Sequence, residues 1–183
     1  MPPRIMRMPV SGGRSTVMLE ATGNLQCAAQ GRCVILEPRD SEYAVLSLDG
    51  EGKAPELARI SRQIYGWNIL PDGQSLAYIP AAAAGPRNRI HITSFASQPE
   101  RDILVENVSG LQNLDVLADG RGFFSTDTRT DRTRLVFIKP DGKSQVLWAP
   151  SAVAPLWAIS SRDSKNVAIT VAVSQRNASL ATF

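Results

Sequence analysis

Few side chains of this sequence have the type and spacing that catalysis needs. The single histidine, His91, alternates with Ile90 and Ile92 in a strand-like run. A neutral histidine with a hydrogen-bond partner is the expected state at such a position. The sequence also contains no Gly-x-Ser-x-Gly segment, which is the turn that exposes the nucleophile of α/β-hydrolases. Nucleophilic catalysis is therefore not predicted.

Paired carboxylates are the remaining route to chemistry, because two acids flanking a glycosidic bond support its hydrolysis. Four of the 17 acids are accounted for as turn residues, since a glycine directly follows Asp49, Asp72, Asp119 and Asp141. Four more lie at or beside predicted hairpin ends, namely Glu51, Glu56, Glu100 and Asp102. Asp127 and Asp131, four residues apart, are the pair that could converge on a pocket, although a solvated loop is the expected setting. We predict that the chain is not an enzyme and keep a glycoside hydrolase-like enzyme as the alternative.

The two cysteines, Cys27 and Cys33, fit no zinc pattern, because no second pair and no nearby histidine completes four ligands. Neither a metal nor a cofactor is predicted. Both cysteines flank a tight turn at Gln30-Gly31, so they could face each other across a hairpin and oxidise. Two separately buried free thiols are the expected outcome.

The charge of the chain excludes some partners. The formal net charge is +3, with 16 arginines and 4 lysines, and an excess this small does not predict nucleic-acid binding. No segment approaches the roughly 18 to 20 apolar residues that cross a bilayer, so no membrane span is predicted. The segment Met1–Arg7 lacks the apolar stretch of a secretory signal. This predicts a cytoplasmic protein as written, or a periplasmic or extracytoplasmic one if the chain is the C-terminal part of a longer protein.

The elements that position these residues follow a repeat. The unit Trp67–Ala77, which contains Pro71-Asp72-Gly73, returns as Leu114–Phe124 and Trp157–Lys165, and Leu25–Val34 keeps the spacing without Asp-Gly. The large residues that open the units stand at 25, 67, 114 and 157, at intervals of 42, 47 and 43 residues. A period of about 44 residues is typical of one four-stranded propeller blade. Because Asp-Gly favours a tight turn, each unit predicts a hairpin.

A second hairpin lies between successive units, as in Leu135–Ile138 and Ser144–Trp148. Two hairpins per period give four strands, which we name A to D from the propeller axis outwards. The sequence therefore predicts an all-β fold, a β-propeller with about four blades of four antiparallel strands. We expect one propeller region over 1–183, with a partial blade at 1–22, blades at 23–62, 63–107 and 108–150, and a partial blade at 151–183. An open arc of a larger propeller is favoured over a closed four-bladed ring, and its exposed terminal blades favour association.

A family resemblance follows from these repeats. The unit Pro71–Ala77, and the stretch from Ala118-Asp119-Gly120 to Pro140-Asp141-Gly142, resemble the WD-type propeller repeats of the TolB family. They are also similar to the C-terminal propellers of bacterial sensor-like kinases and winged-helix regulators. The aspartate is lost at Gly31 and the glycine at Asp163-Ser164, so looser turns are expected there. The resemblance implies a propeller fold with protein contact or ligand sensing, since the repeat conserves turns and core rather than chemistry.

The two sides of a propeller differ in their charges here. The A–B and C–D turns lie on one side, and the B–C and D–A connections form the other side, which we call the B–C face. Arginines stand in or beside the B–C connections, and guanidinium groups bind carboxylates and phosphates with two parallel hydrogen bonds. Chance placement on polar loops is the alternative. We predict that a protein or a small anionic ligand contacts this face through Arg39, Arg87, Arg89, Asp127, Arg129, Asp131, Arg132 and Arg176.

The function predicted from these observations is recognition. We expect a non-catalytic β-propeller module that binds a protein or a ligand, as part of a larger signalling or TolB-like protein. Two alternatives stay open, a propeller-type enzyme with a carboxylate pocket and a truncated fragment without independent function. Two or three acids meeting at the axial pocket would indicate the enzyme, whereas arginines, amides and aromatic rings there would indicate a binding module.

Overall fold

The computed structural model of the chain describes residues 4–20, 22–48, 55–81, 86–96, 98–129, 132–150 and 156–171. All regular elements in these ranges are β-strands, and none of the described segments is a helix that could cross a membrane. The strands are β1 (Arg4–Arg7), β2 (Thr16–Glu20), β3 (Asn24–Cys27), β4 (Cys33–Arg39), β5 (Glu42–Leu48), β6 (Glu56–Ser61), β7 (Ile64–Ile69), β8 (Ser75–Pro80), β9 (Arg89–Ser94), β10 (Arg101–Leu104), β11 (Leu111–Val116), β12 (Phe123–Thr128), β13 (Thr133–Ile138), β14 (Ser144–Trp148), β15 (Leu156–Ser160) and β16 (Val167–Val171).

The strands form propeller blades. Three sheets have four strands each, β3 to β6, β7 to β10 and β11 to β14, and in each sheet every strand pairs with its neighbour in sequence. All pairings between the strands of these sheets are antiparallel. The first strands of successive sheets, β3, β7, β11 and β15, contact one another and so line the axis. The predicted all-β fold with four-stranded antiparallel blades is confirmed.

The ends of the run are two-stranded. β1 pairs with β2 and β15 pairs with β16, and the described residues contain no pairing between these two hairpins. A closed four-bladed ring would need such a pairing, because the two hairpins would then share one blade. The arrangement is consistent with the open arc that the sequence favoured.

Three of the four Asp-Gly turns form as predicted, and the fourth, at Asp49-Gly50, lies outside the described residues. Gly73, Gly120 and Gly142 take positive φ values of 66°, 74° and 87°, and the Oδ1 atom of each preceding aspartate accepts the backbone N–H two residues further on. The fourth A–B turn keeps this arrangement without glycine, since Ser164 adopts a φ of 56° and Asp163 Oδ1 accepts from the N–H of Lys165. The expectation of a looser turn there was wrong, because serine occupies the left-handed conformation.

The disulfide corrects a second expectation. Cys27 ends β3 and Cys33 begins β4, directly opposite each other in the register. The turn between them is closed by hydrogen bonds from Ala28 N to Arg32 O (2.7 Å) and from Gly31 N to Ala28 O (2.9 Å). The two Cα atoms are 3.9 Å apart and the sulfurs are bonded. The prediction of two separately buried thiols was therefore wrong, as was that of a looser turn at Gly31.

The core lies between blades rather than inside one. One buried cluster joins Ile79 and Ile90 of the second complete blade to Leu111 and Val136 of the third. A similar cluster joins the first complete blade to the second. Each blade is too thin to bury both of its faces alone, so the interfaces between blades supply most of the apolar burial.

Candidate functional site

Polar side chains lie at equivalent positions on the inner strands. Each of these residues directly follows the large residue that opens a repeat. Because successive side chains of a strand point to opposite faces of the sheet, the polar side chain lies on the face opposite the large one. The position holds Gln26 on β3, Asn68 on β7 and Asp115 on β11, and the last blade carries Ala158 there. We call Gln26, Asn68 and Asp115 the axial polar residues.

These residues line two adjoining clefts along the axis. One has a volume of about 480 Å³ and opens at the A–B turns. The other has a volume of about 650 Å³ and also contains Trp67 and Trp157. All three axial polar residues contribute to both clefts. We call the two together the axial cleft, and each has the size of an ordinary small-molecule pocket, about 300 to 1,000 Å³.

Asp115 holds three inner strands together. Its Oδ1 atom accepts a hydrogen bond from Asn68 Nδ2 on β7 (3.2 Å), and its Oδ2 atom accepts one from the backbone N–H of Ser160 on β15 (2.7 Å). Asp115 is the one carboxylate among the described residues that line the axial cleft. Because both of its oxygens already have donors, the carboxylate stabilises the arc.

Other groups of the axial cleft are available to a ligand. Gln26 and Arg162 make no side-chain hydrogen bond or ion pair within the described part of the chain, and both line the cleft near the A–B turns. Trp157 leaves 45% of its surface exposed. An amide both donates and accepts hydrogen bonds, a guanidinium only donates, and an indole offers a flat apolar face. This combination suits the binding of a polar segment.

His91 lies away from the axis, on β9. Its Nδ1 atom is 2.6 Å from Asp102 Oδ1, and its Nε2 atom is 3.3 Å from Glu100 Oε2. The ring also packs against Tyr78 with centroids 5.1 Å apart, and burial raises the pKa of this tyrosine above its ordinary value. Asp102 is thus the hydrogen-bond partner that was expected for the histidine, and Glu100 is a second carboxylate neighbour.

The structure places Asp127 inside the protein instead of in a solvated loop. Asp127 belongs to β12 and is 0% exposed. Its Oδ1 atom accepts from the backbone N–H groups of Ser109 (3.0 Å) and Gly110 (2.8 Å), and its Oδ2 atom from Nε of Arg129 (3.1 Å) and of Arg134 (3.2 Å). Burial alone would raise the pKa of this carboxyl, but these hydrogen bonds outweigh burial and lower it.

The expectation that Asp127 lies in a solvated loop was wrong, because Gly110 lets its own segment pack closely against β12. A Cβ atom on Gly110 would lie 1.9 Å from the carbonyl oxygen of Thr128. Without that atom, the connection between the second and third complete blades packs on β12 and presents its N–H groups to the carboxylate. Asp127 is thus a buried clamp between two blades and is not accessible to a partner.

Several other predicted contact residues have partners inside the chain. Arg39 binds Glu37, Arg89 Nη1 lies 3.0 Å from Asp102 Oδ2, and Arg129 binds Asp127. Arg87 lies over the ring of Tyr65, 4.1 Å from its centroid. Arg132 is exposed before β13, and Asp131 and Arg176 lie outside the described residues. Contact with a partner stays a prediction for the arginines and for Asp131.

The sequence analysis missed the axial polar residues, although a signal for them exists. Asn68 follows Gln26 by 42 positions and Asp115 follows Asn68 by 47, the same intervals that separate the large residues. A polar residue at a fixed offset from a repeated apolar residue indicates a shared position near the axis. The site prediction favoured the arginines of the B–C face instead, because loops more often carry binding sites than inner strands do.

Comparison with known proteins gives the fold. No family model and no curated protein sequence matches the chain. Among solved structures, the crystal structure of TolB from Acinetobacter baumannii matches with a TM-score of 0.70 and 15% identity, over 90% of this chain and 42% of that chain. A TolB structure from Agrobacterium tumefaciens matches with a TM-score of 0.62 and 14% identity, over 83% of this chain and 55% of that one. The chain has a TolB-like β-propeller fold.

The chain also resembles part of a solved structure of another kind. A prolyl endopeptidase structure matches with a TM-score of 0.55 and 14% identity, over 81% of this chain and 25% of that one. Identities this low show the fold alone. The chain spans 42% of the length of the Acinetobacter TolB and 55% of the Agrobacterium protein.

Proposed function

We propose that the chain is a non-catalytic recognition module, which binds an extended polar segment of a partner protein in its axial cleft. The observation that carries this proposal is the lining of the cleft by Gln26, Asn68, Trp67 and Trp157. A peptide backbone presents N–H and C=O groups in alternation, and side-chain amides match both. Indole rings add apolar contact at a small cost in conformational entropy.

The state of Asp115 supports binding over catalysis. A glycosidase-like reaction needs one carboxyl group to give a proton and a second to attack or to activate water. Asp115 instead accepts hydrogen bonds from Asn68 and Ser160 with its two oxygens. The amides and rings beside it provide contact without a group that moves protons.

The module belongs to a larger propeller protein in this proposal. Ile159 and Ile169 of the last described blade are 64% and 40% exposed, and such a surface is ordinarily covered by a further blade or a partner. The match to 42% and 55% of the length of the two TolB structures supports a larger propeller protein. The disulfide between Cys27 and Cys33 favours an oxidising, extracytoplasmic location.

A displayed peptide library tests the recognition proposal. Random 12-residue peptides would be selected on the immobilised chain, and the enriched peptides would be measured against the double variant Gln26→Ala/Trp157→Ala. Both side chains are exposed, so the variant should fold. We expect binding to fall at least about tenfold, which corresponds to the loss of one good hydrogen bond and one aromatic contact. The control Arg59→Ala changes an exposed residue of the outer strand β6 and should bind like the parent.

Two outcomes would contradict the proposal. Enriched peptides that bind the double variant as well as the parent would place recognition elsewhere. Hydrolysis of glycosides, lactones or peptides by the parent, abolished by Asp115→Asn with the fold retained, would show that the cleft is catalytic.

A further inference from the structure

Two arginines on the B–C face differ from the others in their partners. Arg62 lies between β6 and β7, and Arg87 precedes β9. Neither has a carboxylate within ion-pair distance among the described residues, whereas Arg39, Arg89 and Arg129 each have one. Their positive charges are therefore not neutralised by the described part of the chain.

Each of these arginines lies over a tyrosine. The guanidinium carbon of Arg87 is 4.1 Å from the centroid of the Tyr65 ring, and that of Arg62 is 5.7 Å from the Tyr43 centroid. Arg62 Nη1 also donates to the carbonyl oxygen of Asp40 (2.9 Å). A guanidinium over an aromatic ring keeps N–H groups that can bind an anion.

The two tyrosines line one small cleft between the first and second complete blades. Its volume is about 180 Å³, and its other lining residues are Asn24, Leu36, Ile64, Gly66 and Trp67. Leu36, Ile64 and Trp67 contribute apolar atoms to this lining beside polar ones, and Tyr65 is 43% exposed at the surface. A space of this size has room for one leucine-sized side chain. We call it the tyrosine cleft.

We propose that the tyrosine cleft and its two arginines form a second binding site, which takes a carboxylate next to an aliphatic side chain of a protein. The aliphatic group occupies the cleft and Arg87 and Arg62 bind the carboxylate at its rim. The chemistry is the same for a C-terminal leucine and for an internal Asp-Leu pair. The two sites adjoin, since Asn24, Gly66 and Trp67 line both clefts. Tyr65, Arg62 and Arg87 do not line the axial cleft, so different variants test the two sites.

Small probes test this site directly. The full chain, labelled with ¹⁵N, would be titrated with N-acetyl-L-leucine, and the backbone amides of Tyr65 and Arg87 and the arginine Nε–H signals would be followed by NMR. We expect saturable shifts confined to these groups. N-acetyl-L-leucinamide lacks the charge and acetate lacks the side chain, so each should bind about tenfold more weakly or worse, as expected for a charged hydrogen bond or a buried aliphatic group.

Variants separate this site from general attraction between charges. Arg87→Gln should weaken binding of N-acetyl-L-leucine about tenfold, because it removes a charge-assisted contact. The matched control is Arg39→Gln, which removes an arginine from the same face that already binds Glu37, and its affinity should stay within about twofold of the parent. Gln26→Ala/Trp157→Ala should also leave this affinity unchanged, so failure at the axial cleft and failure here are distinguishable.

The outcomes either support or overturn the proposal. Saturable binding of N-acetyl-L-leucine or of acetyl-Asp-Leu-amide supports it, and the tighter of the two identifies a chain end or an internal segment as the source. Equal losses for Arg87→Gln and Arg39→Gln would overturn it, as would equal affinity for the leucinamide. Inorganic phosphate producing the same shifts with equal affinity would also overturn it, because the aliphatic group would then contribute nothing.

Discussion

Replacing Asp127 with asparagine tests the buried clamp between the second and third complete blades. Asparagine has the same shape but carries one N–H₂ group in place of an oxygen. Its oxygen could still accept from the N–H groups of Ser109 and Gly110. Its N–H₂ group would then face Arg129 and Arg134, which are donors themselves. The hydrogen bonds that Arg129 Nε, Arg134 Nε and Arg134 Nη2 donate to Oδ2 would be lost, and two guanidinium groups would lose their counter-charge.

The expected cost is large for a domain of this size. If the contact of each arginine with Oδ2 is counted once, at about 1.5 to 3 kcal/mol, the loss of both contacts gives about 3 to 6 kcal/mol. Removing one partner of a buried ion pair costs about 3 to 5 kcal/mol, which agrees. Because whole domains have free energies of unfolding of about 5 to 15 kcal/mol, Asp127→Asn should remove a large part of the stability.

Urea unfolding followed by tryptophan fluorescence measures this cost. The control is Asp119→Asn, which changes an exposed turn aspartate that also pairs with an arginine, Arg121. The control should lower the urea midpoint much less than Asp127→Asn does. If Asp127→Asn lowers the free energy of unfolding by less than about 1 kcal/mol, the clamp contributes no more than an exposed ion pair and our reasoning is wrong.

The pKa of Asp127 adds a dependence on pH. Hydrogen bonds lower this pKa in the folded protein, while the unfolded chain should have a value of about 3.9. The stability that Asp127 supplies is therefore complete above the unfolded pKa and is lost as the pH falls through the lower, folded pKa. Urea midpoints measured from pH 7 downwards should show a loss below about pH 4 in the parent that is smaller in Asp127→Asn. An equal loss in both proteins would assign the acid sensitivity to other carboxyl groups.

Three further substitutions test the packing. Leu111→Ala should lower the free energy of unfolding by about 2 to 5 kcal/mol because Leu111 is fully buried between blades, whereas Leu104→Ala, at a residue 62% exposed, should change it little; similar urea midpoints for the two variants would contradict the assignment of the core. Gly110→Ala should cost about 3 kcal/mol in the same assay because the new Cβ would meet the Thr128 carbonyl oxygen, and a variant as stable as the parent would refute that close approach. The double variant Cys27→Ser/Cys33→Ser should cost about 2 kcal/mol, since the bond closes a loop of about seven residues, and thiol titration of the unreduced parent should find both cysteines protected; two reactive thiols in oxidised protein would show that the bond does not form.

Much of the fold could be predicted because its signals are local. The Asp-Gly pairs at 72, 119 and 141 fix turns through the positive φ of glycine and the side chain of aspartate, and the spacing of the large residues gives the blade period. These features depend on a few neighbouring residues. The serine at 164 shows the limit of the rule, since it takes the conformation that glycine takes elsewhere.

The candidate sites were harder to predict because they depend on contacts between distant segments. Asp127 looked like a loop acid since the sequence does not show that Gly110 brings a second backbone against it. The sequence also does not show which arginines form ion pairs, because their partners belong to other segments of the chain. Arg87 and Arg89 are two residues apart in sequence, yet one lies over Tyr65 and the other binds Asp102.

The hydrogen bonds of Asp115 affect how mutational effects add up. One carboxylate holds Asn68 on the blade before it and Ser160 on the blade after it, so three blades share a single group. The free energies of Asn68→Ala and Asp115→Ala should not be additive, because the first substitution removes a contact that the second would also remove. A double-mutant cycle of Asn68 and Asp115 would thus measure a coupling free energy between two neighbouring blades. The repeat divides the sequence into blades, but at the axis the stability of one blade cannot be assigned apart from the next.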